Sequence, residues 1–489
     1  MKNTLAILLV VISLSVVAQT KIDSIGINKL NGGIKALEAD ADLIHANWGF
    51  CIMDPKTGKI LASHEPEKSL MPASSQKVIT TIAGINLLGA DYRYKTYLEY
   101  DGVIGKDSVL TGNLYLRGTG DPTLGSARLD SALRFDSLMT IWAGIIKSKG
   151  INKITGKIIS DASYFEDYAT PGSWNWDDIG QYYGAGPYGL NVFENTYTVY
   201  FSSTASKCRI DSIYPVIDGM TVWNDVTVGG GGDEAYIYGA PDNYYRYVTG
   251  TIPANRKAFT VDGSMPDPPL FLALELKKAL LKNNIKVEQP VTTVYAMGRE
   301  NIAVNKERKI LYTHYSPALS DIIYHTNQKS INLYAEAILK TIGRTQLNDG
   351  SRESGTKAVN TFYANKGINL DGMNVEDGSG LSRMNVFTTN QMCSILMMEM
   401  KQATFADFKT SLPIAGKTGT LKTIGDGTAA AGKVFAKSGS MYKVRSYSGY
   451  VQTKSGELLS FCIVVNNYTC GTAEIKAKLE KMMILMAGL

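Results

Sequence analysis

Apolar residues recur at helical spacing in stretches near both ends of the chain. From Val78 to Leu88 they repeat every three or four positions until Gly89 interrupts the pattern, which predicts a helix over 74–88. The same periodicity predicts helices over 34–46, 269–283, 319–327, 332–342, 356–366 and 473–487.

Short runs rich in β-branched and aromatic residues, ending at turn residues, predict strands. At the chain ends these runs cover 48–54, 59–62, 444–451 and 458–466, and between them they cover 96–100, 112–117, 157–160 and 197–201. We therefore expect an α+β fold in which both ends bracket a β-rich insertion of about 200 residues. Strands from both ends are expected to share one antiparallel sheet.

Composition narrows the function classes. The 489 residues are 44% hydrophobic and 19% charged, which is typical of globular proteins and excludes a disordered chain or a coiled coil. This length fits two or three domains. The 50 Lys and Arg residues exceed the 45 Asp and Glu by five, and no basic stripe concentrates them, so we expect no nucleic-acid partner.

The first residues have the pattern of a secretory signal peptide. Lys2 precedes an apolar run of about 14 residues, and Ala18 is a small residue before Gln19 at the expected cleavage position. The run is shorter than the ~20 residues that span a bilayer, so a cleaved signal over 1–18 is favoured over a retained anchor. We expect an exported protein without an integral membrane segment.

The five cysteines have wide spacings that fit no metal site. Cys51, Cys393 and Cys462 lie in apolar runs, which predicts buried free thiols. Cys462 and Cys470 are the one near pair, and the sequence leaves open whether they form a disulfide.

Most nucleophile motifs are missing, and the few histidines have no ligand partner at helical spacing. A serine enzyme here would therefore need another base, and lysine can serve in that role. Ser-x-x-Lys occurs at Ser74, Ser354 and Ser440, as often as chance allows. Only Ser74 starts a clearly amphipathic helix, where Lys77 shares its face and free backbone N–H groups can stabilise an anion. The alternative role of Ser74 is an N-cap.

Two further motifs follow in order. Among four Lys-[Ser/Thr]-Gly matches, Lys437-Ser438-Gly439-Ser440 precedes a predicted strand, so we favour it over the match at Lys417, which lies in a loop. Between them, a Ser-x-Asn motif at Ser330 and Asn332 falls between two predicted helices, and the same letters recur at Ser173 and Asn175.

The ordered set Ser-x-x-Lys, Ser-x-Asn and Lys-Ser-Gly resembles the motif set of penicillin-recognising serine acyltransferases. Six segments sharpen the resemblance: PASSQK at 72–77, GNLYLRGTGDP at 112–122, GPYGLNVFEN at 186–195, KSINLYAE at 329–336, DGSGLSR at 377–383 and LPIAG at 412–416. On these segments the chain is identified as a member of the class C low-molecular-mass penicillin-binding proteins, the D-alanyl-D-alanine carboxypeptidase/endopeptidases.

This resemblance implies a penicillin-binding/serine β-lactamase-like DD-peptidase domain, with an antiparallel sheet and a helical half. That domain would comprise 19–95 and 305–489. Inserted domain II would comprise 96–196 and 252–304, and domain III, over 197–251, would be nested inside it. The implied partners are peptidoglycan stem peptides and β-lactam inhibitors, the implied location is the periplasm, and no cofactor or metal is implied.

The resemblance also assigns roles. Ser74 would be the nucleophile, and Lys77 the base that takes its proton once burial or a cation such as Lys437 has lowered its pKa. Ser330 would relay a proton and Asn332 would hold the substrate amide. The substrate carboxylate would bind Lys437 and the Ser438 hydroxyl, in the stretch that continues through Gly439 and Ser440 and has the register of a sheet strand lining a cleft. The backbone N–H groups of Ser74 and Ser440 would form the oxyanion hole.

At position 438 this sequence has Ser, where that motif more often has Thr. The pair Lys417-Thr418 is expected to be a chance match to the motif rather than part of the site. The segment 377–383 is expected to shape the junction between sheet and helices. Two alternative functions stay open, a β-lactamase or esterase that uses the same motifs, and a catalytically silent peptidoglycan-binding protein.

Overall fold

The protein is described by a computed structural model that covers residues 24–489, and the predicted signal peptide over 1–18 lies outside these residues. Before the insertion the chain contains α1 (Ser24–Glu38), β1 (Asn47–Met53), β2 (Ile60–His64) and α2 (Gln76–Leu88), with a 3₁₀ turn at Ala73–Ser75. The insertion contains β3 (Lys95–Tyr100), β4 (Val103–Ile104), β5 (Val109–Thr111), β6 (Leu114–Gly118), α3 (Phe135–Ser148), β7 (Lys153–Ile154), β8 (Ile158–Asp161), α4 (Trp176–Ile179), β9 (Thr196–Ser203), β10 (Cys208–Tyr214), β11 (Thr221–Val228), β12 (Glu234–Tyr238), β13 (Tyr245–Ile252), β14 (Phe259–Ser264), α5 (Pro268–Lys282), β15 (Lys286–Val287), β16 (Thr292–Thr293), α6 (Val294–Arg299) and β17 (Lys309–Tyr315). The last part contains α7 (Leu319–Lys329), α8 (Asn332–Leu347), α9 (Arg352–Asn365), α10 (Thr389–Glu399), α11 (Phe405–Ser411), β18 (Val434–Met441), β19 (Val444–Gln452), β20 (Leu458–Asn466) and α12 (Thr472–Ala487).

Strands from both ends of the chain form one antiparallel sheet in the order β18-β19-β20-β1-β2, which confirms that expectation. The sheet is covered on both faces, so its central strands are buried along nearly their whole length. Phe50 and Ile52 belong to the core shared with α1 and α12, whereas Cys51 and Met53 belong to the core shared with α2, α8 and α10.

The predicted buried thiols lie on this second face. Cys51 lies directly opposite Cys462 on the neighbouring strand, and Cys393 of α10 contacts the backbone of Cys51. All three are buried and free, which confirms the prediction. Cys470 is also free, so Cys462 and Cys470, whose pairing the sequence left open, form no disulfide.

The central helix α2 carries the predicted nucleophile just before its start. Its residues from Gln76 to Ile85 are buried on all sides, as expected for a helix surrounded by other elements. Gly84 faces α8, and a side chain there would meet Ile338, so this glycine lets the two helices approach closely.

One helix prediction was wrong, and two longer helices were not predicted. The helix expected over 34–46 ends at Glu38, because Asp40 and Asp42 leave the helix to pair with Lys478 of α12. The helices Phe135–Ser148 and Thr389–Glu399 were not predicted from the sequence. The first of these, α3, lies amid turn-rich sequence and packs its apolar face against α5.

The insertion folds into four further sheets, in the orders β16-β8-β6-β3-β17, β15-β7-β5-β4, β10-β9-β14 and β11-β13-β12. One hydrophobic core joins them through residues such as Leu116, Trp142, Val199 and Leu272. Strand pairing crosses the expected domain limits, because β9 pairs with β14 and β17 pairs with β3. This pairing does not by itself define where one domain ends and the next begins, so the domain limits at 196/197, 251/252 and 304/305 stay a prediction.

Candidate active site

Ser74 lies in the 3₁₀ turn that leads into α2. Lys77, one turn further along, points to the same side, and its Nζ donates to the Ser74 hydroxyl at 3.0 Å. The alternative role of Ser74 as an N-cap does not hold, because Ser75 occupies the cap position of α2 and makes no capping hydrogen bond. Ala73 has a positive φ of 48°, a backbone strain of the kind found at functional sites.

The Lys77 ammonium is buried and has three acceptors. Besides Ser74 it donates to Oδ1 of Asn332 at 2.6 Å and to the carbonyl of Ser379 at 2.7 Å. Burial lowers the pKa of Lys77 to about 7, while the nearby carboxylates of Asp377 and Glu336 oppose that decrease. Burial thus supplies the lowering that the sequence analysis attributed to burial or to Lys437.

Glu336 and Asp377 together fix the loop that contacts Lys77. Glu336 on α8 accepts the backbone N–H groups of Gly378 and Ser379, at 3.1 and 2.7 Å. Asp377 accepts the backbone N–H groups of Gly380 and Ser382. The loop lies against the start of α2, and it contributes a backbone carbonyl rather than a side chain to Lys77.

Asp377 also contacts the insertion, because the indole Nε1 of Trp174 donates to its Oδ2 at 2.9 Å.

Burial raises the pKa of Glu336 to about 7, and the Asp377 charge adds to this effect. The charges of these two buried carboxylates raise the pKa of Lys77 and so oppose the effect of burial.

Ser330 occupies the junction between α7 and α8, as the sequence analysis expected, with a left-handed backbone (φ 60°). Its hydroxyl accepts a hydrogen bond from Nζ of Lys437 at 2.9 Å. Asn332 begins α8 and joins the two halves of the site, because it accepts from Lys77 and donates from Nδ2 to the carbonyl of Tyr183 at 2.7 Å.

Strand β18 forms the opposite wall of the site. It is an edge strand of the antiparallel sheet and lies against the 3₁₀ turn of Ser74. Lys437 is buried, and burial together with the charges of Lys77 and Arg445 lowers its pKa well below the ordinary value. Gly439 is required by close approach, since a Cβ there would overlap the carbonyl oxygen of Pro72.

The competing motif at Lys417 contributes in another way. The Lys417 side chain runs along Gly432, whereas Thr420 from the same loop accepts a hydrogen bond from the Ser438 hydroxyl at 2.8 Å. Of the two Lys-[Ser/Thr]-Gly matches compared, the structure brings Lys437 to Ser330, whereas Lys417 packs against Gly432.

The cleft has a volume of about 740 Å³, and the insertion supplies one of its walls. Ser74, Ser330, Asn332 and Ser440 line it, as does Asn175, which belongs to the second Ser-x-Asn match. The structure thus brings together Ser74, Lys77, Ser330, Asn332, Lys437, Ser438, Gly439 and Ser440. Within residues 24–489, His, Cys, Asp and Glu side chains form no cluster of three or more suited to a metal ion.

Sequence reasoning missed Thr420, Tyr183 and the loop carbonyl of Ser379, and it assigned no role to Glu336. Glu336 and Ser379 lie inside two of the six quoted segments, so a signal was present without a role attached to it. Tyr183 acts through its backbone, which no residue-type pattern reveals.

Sequence comparisons place the chain among peptidases. The model of the D-Ala-D-Ala carboxypeptidase 3 (S13) family matches residues 30–489. A D-alanyl-D-alanine carboxypeptidase of Actinomadura sp. (strain R39) is 28% identical over 458 residues, which are 91% of this chain and 82% of that relative. The D-alanyl-D-alanine carboxypeptidase DacB of Haemophilus influenzae is 26% identical over 440 residues, 88% of each chain.

Structural comparison confirms the fold class. Penicillin binding protein 4 from Haemophilus influenzae superposes with a TM-score of 0.78 at 24% identity, covering 93% of this chain and 97% of that chain. The same protein complexed with a β-lactam superposes with a TM-score of 0.73 at 22% identity over the same shares of the two chains. Among the described residues, no helix is both long and apolar enough to cross a membrane.

Proposed function

The chain belongs to the D-Ala-D-Ala carboxypeptidase 3 (S13) family, and we propose that Ser74 is the nucleophile of its reaction. The protein is a serine-type D-alanyl-D-alanine carboxypeptidase. The observation that carries the assignment to Ser74 is its hydrogen bond from a buried lysine, Lys77, whose pKa lies at about 7. A neutral amine at this distance can accept the hydroxyl proton at physiological pH.

In the proposed acylation step, Ser74 Oγ attacks the carbonyl carbon between the two D-alanines while its proton moves to Lys77 Nζ. The backbone N–H groups of Ser74 and Ser440 stabilise the oxyanion, a contribution worth about 3–4 kcal/mol per donor in other enzymes. The tetrahedral intermediate then breaks its C–N bond. The departing D-alanine amine takes the proton from Lys77 by way of Ser330, and water later hydrolyses the acyl-Ser74 ester.

The wall of the cleft formed by β18, which carries Lys437, is proposed to bind the terminal carboxylate of the substrate. Lys437 lies beside Ser330, and Ser438 and Thr420 add two adjacent hydroxyls. A bound carboxylate favours the charged form of Lys437, which reverses the effect of burial on its pKa. Asn332 would exchange its bond to Tyr183 for one to the substrate amide.

The test is the intact mass of the protein after incubation with benzylpenicillin, which mimics the D-Ala-D-Ala terminus. Wild type is expected to gain one stable acyl adduct, and Ser74→Ala none. Ser354→Ala is the matched control, because Ser354 belongs to another Ser-x-x-Lys pair, and it is expected to be acylated like wild type. No adduct on wild type would favour the silent binding protein, and rapid release would favour the β-lactamase.

Carboxypeptidase and endopeptidase cleavage differ only in the leaving amine. We propose that the same cleft also cleaves D-amino-acid cross-links between stem peptides. The test is whether wild type releases monomers from a purified cross-linked muropeptide dimer. Ser74→Ala is expected to release none. D-Ala release from a pentapeptide without cleavage of the dimer would limit the enzyme to carboxypeptidase action.

We also propose that the enzyme acts outside the cytoplasm, where peptidoglycan lies. The support is the signal pattern over 1–18, which predicts a mature protein starting at Gln19. N-terminal sequencing of the protein from a periplasmic fraction tests the location and the cleavage site together. Recovery of the protein with an intact Met1 from the cytoplasmic fraction would contradict the proposal.

A further inference from the structure

The nested part of the insertion exposes an unusual set of aromatic rings. In the sheet β11-β13-β12, alternate residues point outward, and the outward set consists of Trp, Tyr, Thr, Asp and Glu residues. Trp223 and Tyr245 are 70% and 75% exposed, and Trp176 of α4 is 55% exposed beside them. Exposed aromatic groups gathered on one face indicate a binding surface.

These rings form a continuous row across the sheet. Trp223 lies directly opposite Tyr247, and Tyr247 lies directly opposite Tyr238. The ring centroids of Tyr247 and Tyr238 are 6.2 Å apart, and those of Tyr238 and Trp176 are 6.4 Å apart, with interplanar angles of 36° and 32°. We call the set Trp176, Trp223, Tyr238, Tyr245 and Tyr247 the aromatic platform; it borders a groove of about 790 Å³.

Hydrogen-bonding groups lie at the edges of these rings. The Trp223 Nε1 donates to one oxygen of Asp225 at 3.3 Å, and the Tyr247 hydroxyl donates to the other at 3.1 Å. Thr221 and Thr249 add hydroxyls along the same groove. Flat apolar surfaces rimmed by acceptors and hydroxyls match the two sides of a sugar ring, whose C–H face stacks and whose hydroxyls bind in the ring plane.

The charge of the face disfavours other partners. Among the described residues of these three strands, none with an outward side chain is Lys or Arg, whereas Asp225 and Glu234 are acidic. Arg246 lines the groove, but it is buried and its guanidinium donates to backbone carbonyls. Nucleic acids and anionic lipids require exposed cations, which the outward set lacks.

The aromatic platform is continuous with the catalytic cleft. Tyr238 lines both the groove and the cleft that contains Ser74 and Asn332. We propose that the platform binds the sugar rings of the glycan strand, so that the peptide attached to that strand reaches Ser74. This inference rests on the proposed function for its choice of glycan, and it adds a carbohydrate-binding site to the peptidase.

The test measures binding of chitohexaose, a linear oligomer of N-acetylglucosamine, by isothermal titration calorimetry. Wild type is expected to bind, and the double variant Trp223→Ala/Tyr247→Ala is expected to bind about tenfold more weakly or worse, because each stacked ring is lost. Both side chains are exposed, so the fold should persist. Tyr168→Ala, at an exposed tyrosine outside the groove, is the matched control and should bind like wild type.

Two activity assays separate this inference from the proposed function. The double variant should release D-Ala from a short peptide at the wild-type rate but release it more slowly from polymeric peptidoglycan. If wild type does not bind chitohexaose but still cleaves the short peptide, the proposed glycan-binding site is wrong and the peptidase assignment stands. If wild type instead sediments with phosphatidylcholine vesicles, and the double variant does not, the platform is a membrane site and the proposal fails.

Discussion

The carboxylate of Glu336 accepts the backbone N–H of Ser379 at 2.7 Å, and the carbonyl of that same serine accepts a hydrogen bond from Lys77 at 2.7 Å. A buried acid on α8 therefore positions the base that faces Ser74, through one residue of a loop. Glu336 also acts through its charge, which opposes the lowering of the Lys77 pKa by burial.

Glu336→Gln separates these two effects. The pKa of Glu336 is about 7, so its charge raises the pKa of Lys77 only near and above that pH; without it the pKa of Lys77 falls further there, and the acid limb of the acylation rate should move slightly to lower pH. The amide also presents a donor to one of the loop N–H groups, so the maximal rate should fall about tenfold. The measurement is the rate of benzylpenicillin acylation against pH.

The control for this variant is Glu353→Gln, at an exposed position of α9, which should leave the profile unchanged. A lower rate with an unshifted acid limb would mean that Glu336 only supports the loop and has no electrostatic effect on Lys77.

Acylation of the wild type should itself depend on pH. Lys77 must be neutral to accept the Ser74 proton, and its pKa is about 7. The rate should therefore rise about tenfold per pH unit below pH 7 and level off above it. Stopped-flow acylation between pH 5.5 and 9, with circular dichroism to verify folding, measures this. A flat rate over the whole range would remove Lys77 as the base.

Much of the site was predictable from the sequence because its side chains act from fixed local positions. Ser74 and Lys77 share one face of a helix start, and Ser330 lies where one helix ends and the next begins. These placements follow from periodicity and motif order. The groups that stayed hidden act through backbone atoms, as Ser379 and Tyr183 do, or are placed by long-range packing, as Thr420 is.

The fold was predictable to a similar depth. The end strands are short runs rich in β-branched and aromatic residues that end at turn residues, so the antiparallel sheet follows from local pattern. The helix over 34–46 was wrong because contacts with Lys478, more than 400 positions away, decide where the chain leaves α1. Pairing across the insertion, such as β17 with β3, depends on non-local contacts that no local pattern encodes.

The burial of Lys77 should also lower the free energy of unfolding in a way that depends on pH. Its pKa falls from 10.5 to about 7 on folding, so the unfolded state binds more protons between these values and stability rises with pH there. Lys77→Met removes this dependence. The stability advantage of the variant over wild type should therefore shrink by about 2 kcal/mol between pH 7 and pH 9.

Urea denaturation of both proteins at the two pH values gives this difference. The part of the substitution cost that does not depend on pH, such as lost packing, cancels in the comparison, and the hydrogen bonds to Asn332 and Ser379 enter it only through their effect on the pKa of Lys77. Lys454→Met, at an exposed turn lysine, is the control and should show no pH-dependent difference. An advantage that stays constant or grows with pH would contradict the lowered pKa.

The close approach of β18 to the nucleophile makes a last prediction. At Gly439 a Cβ would overlap the carbonyl oxygen of Pro72 and the hydroxyl of Ser446, and it would lie 3.0 Å from the backbone N of Ser74. Backbone atoms cannot move aside as a flexible side chain can, so Gly439→Ala should push β18 away from Ser74. Because the expected oxyanion donors lie on these two segments, acylation should fall by about 100-fold or more.

Gly144→Ala provides the matched control for the same chemical change. Gly144 lies in α3, where an added Cβ meets nothing within 4 Å, and alanine there should raise stability by up to about 1 kcal/mol without changing acylation. Benzylpenicillin acylation rates and thermal melts of both variants make the comparison. A Gly439→Ala protein that melts near the wild-type temperature yet acylates slowly would place the damage at the oxyanion position. Wild-type acylation in that variant would show that β18 tolerates displacement, and Ser440 would then lose its assigned role.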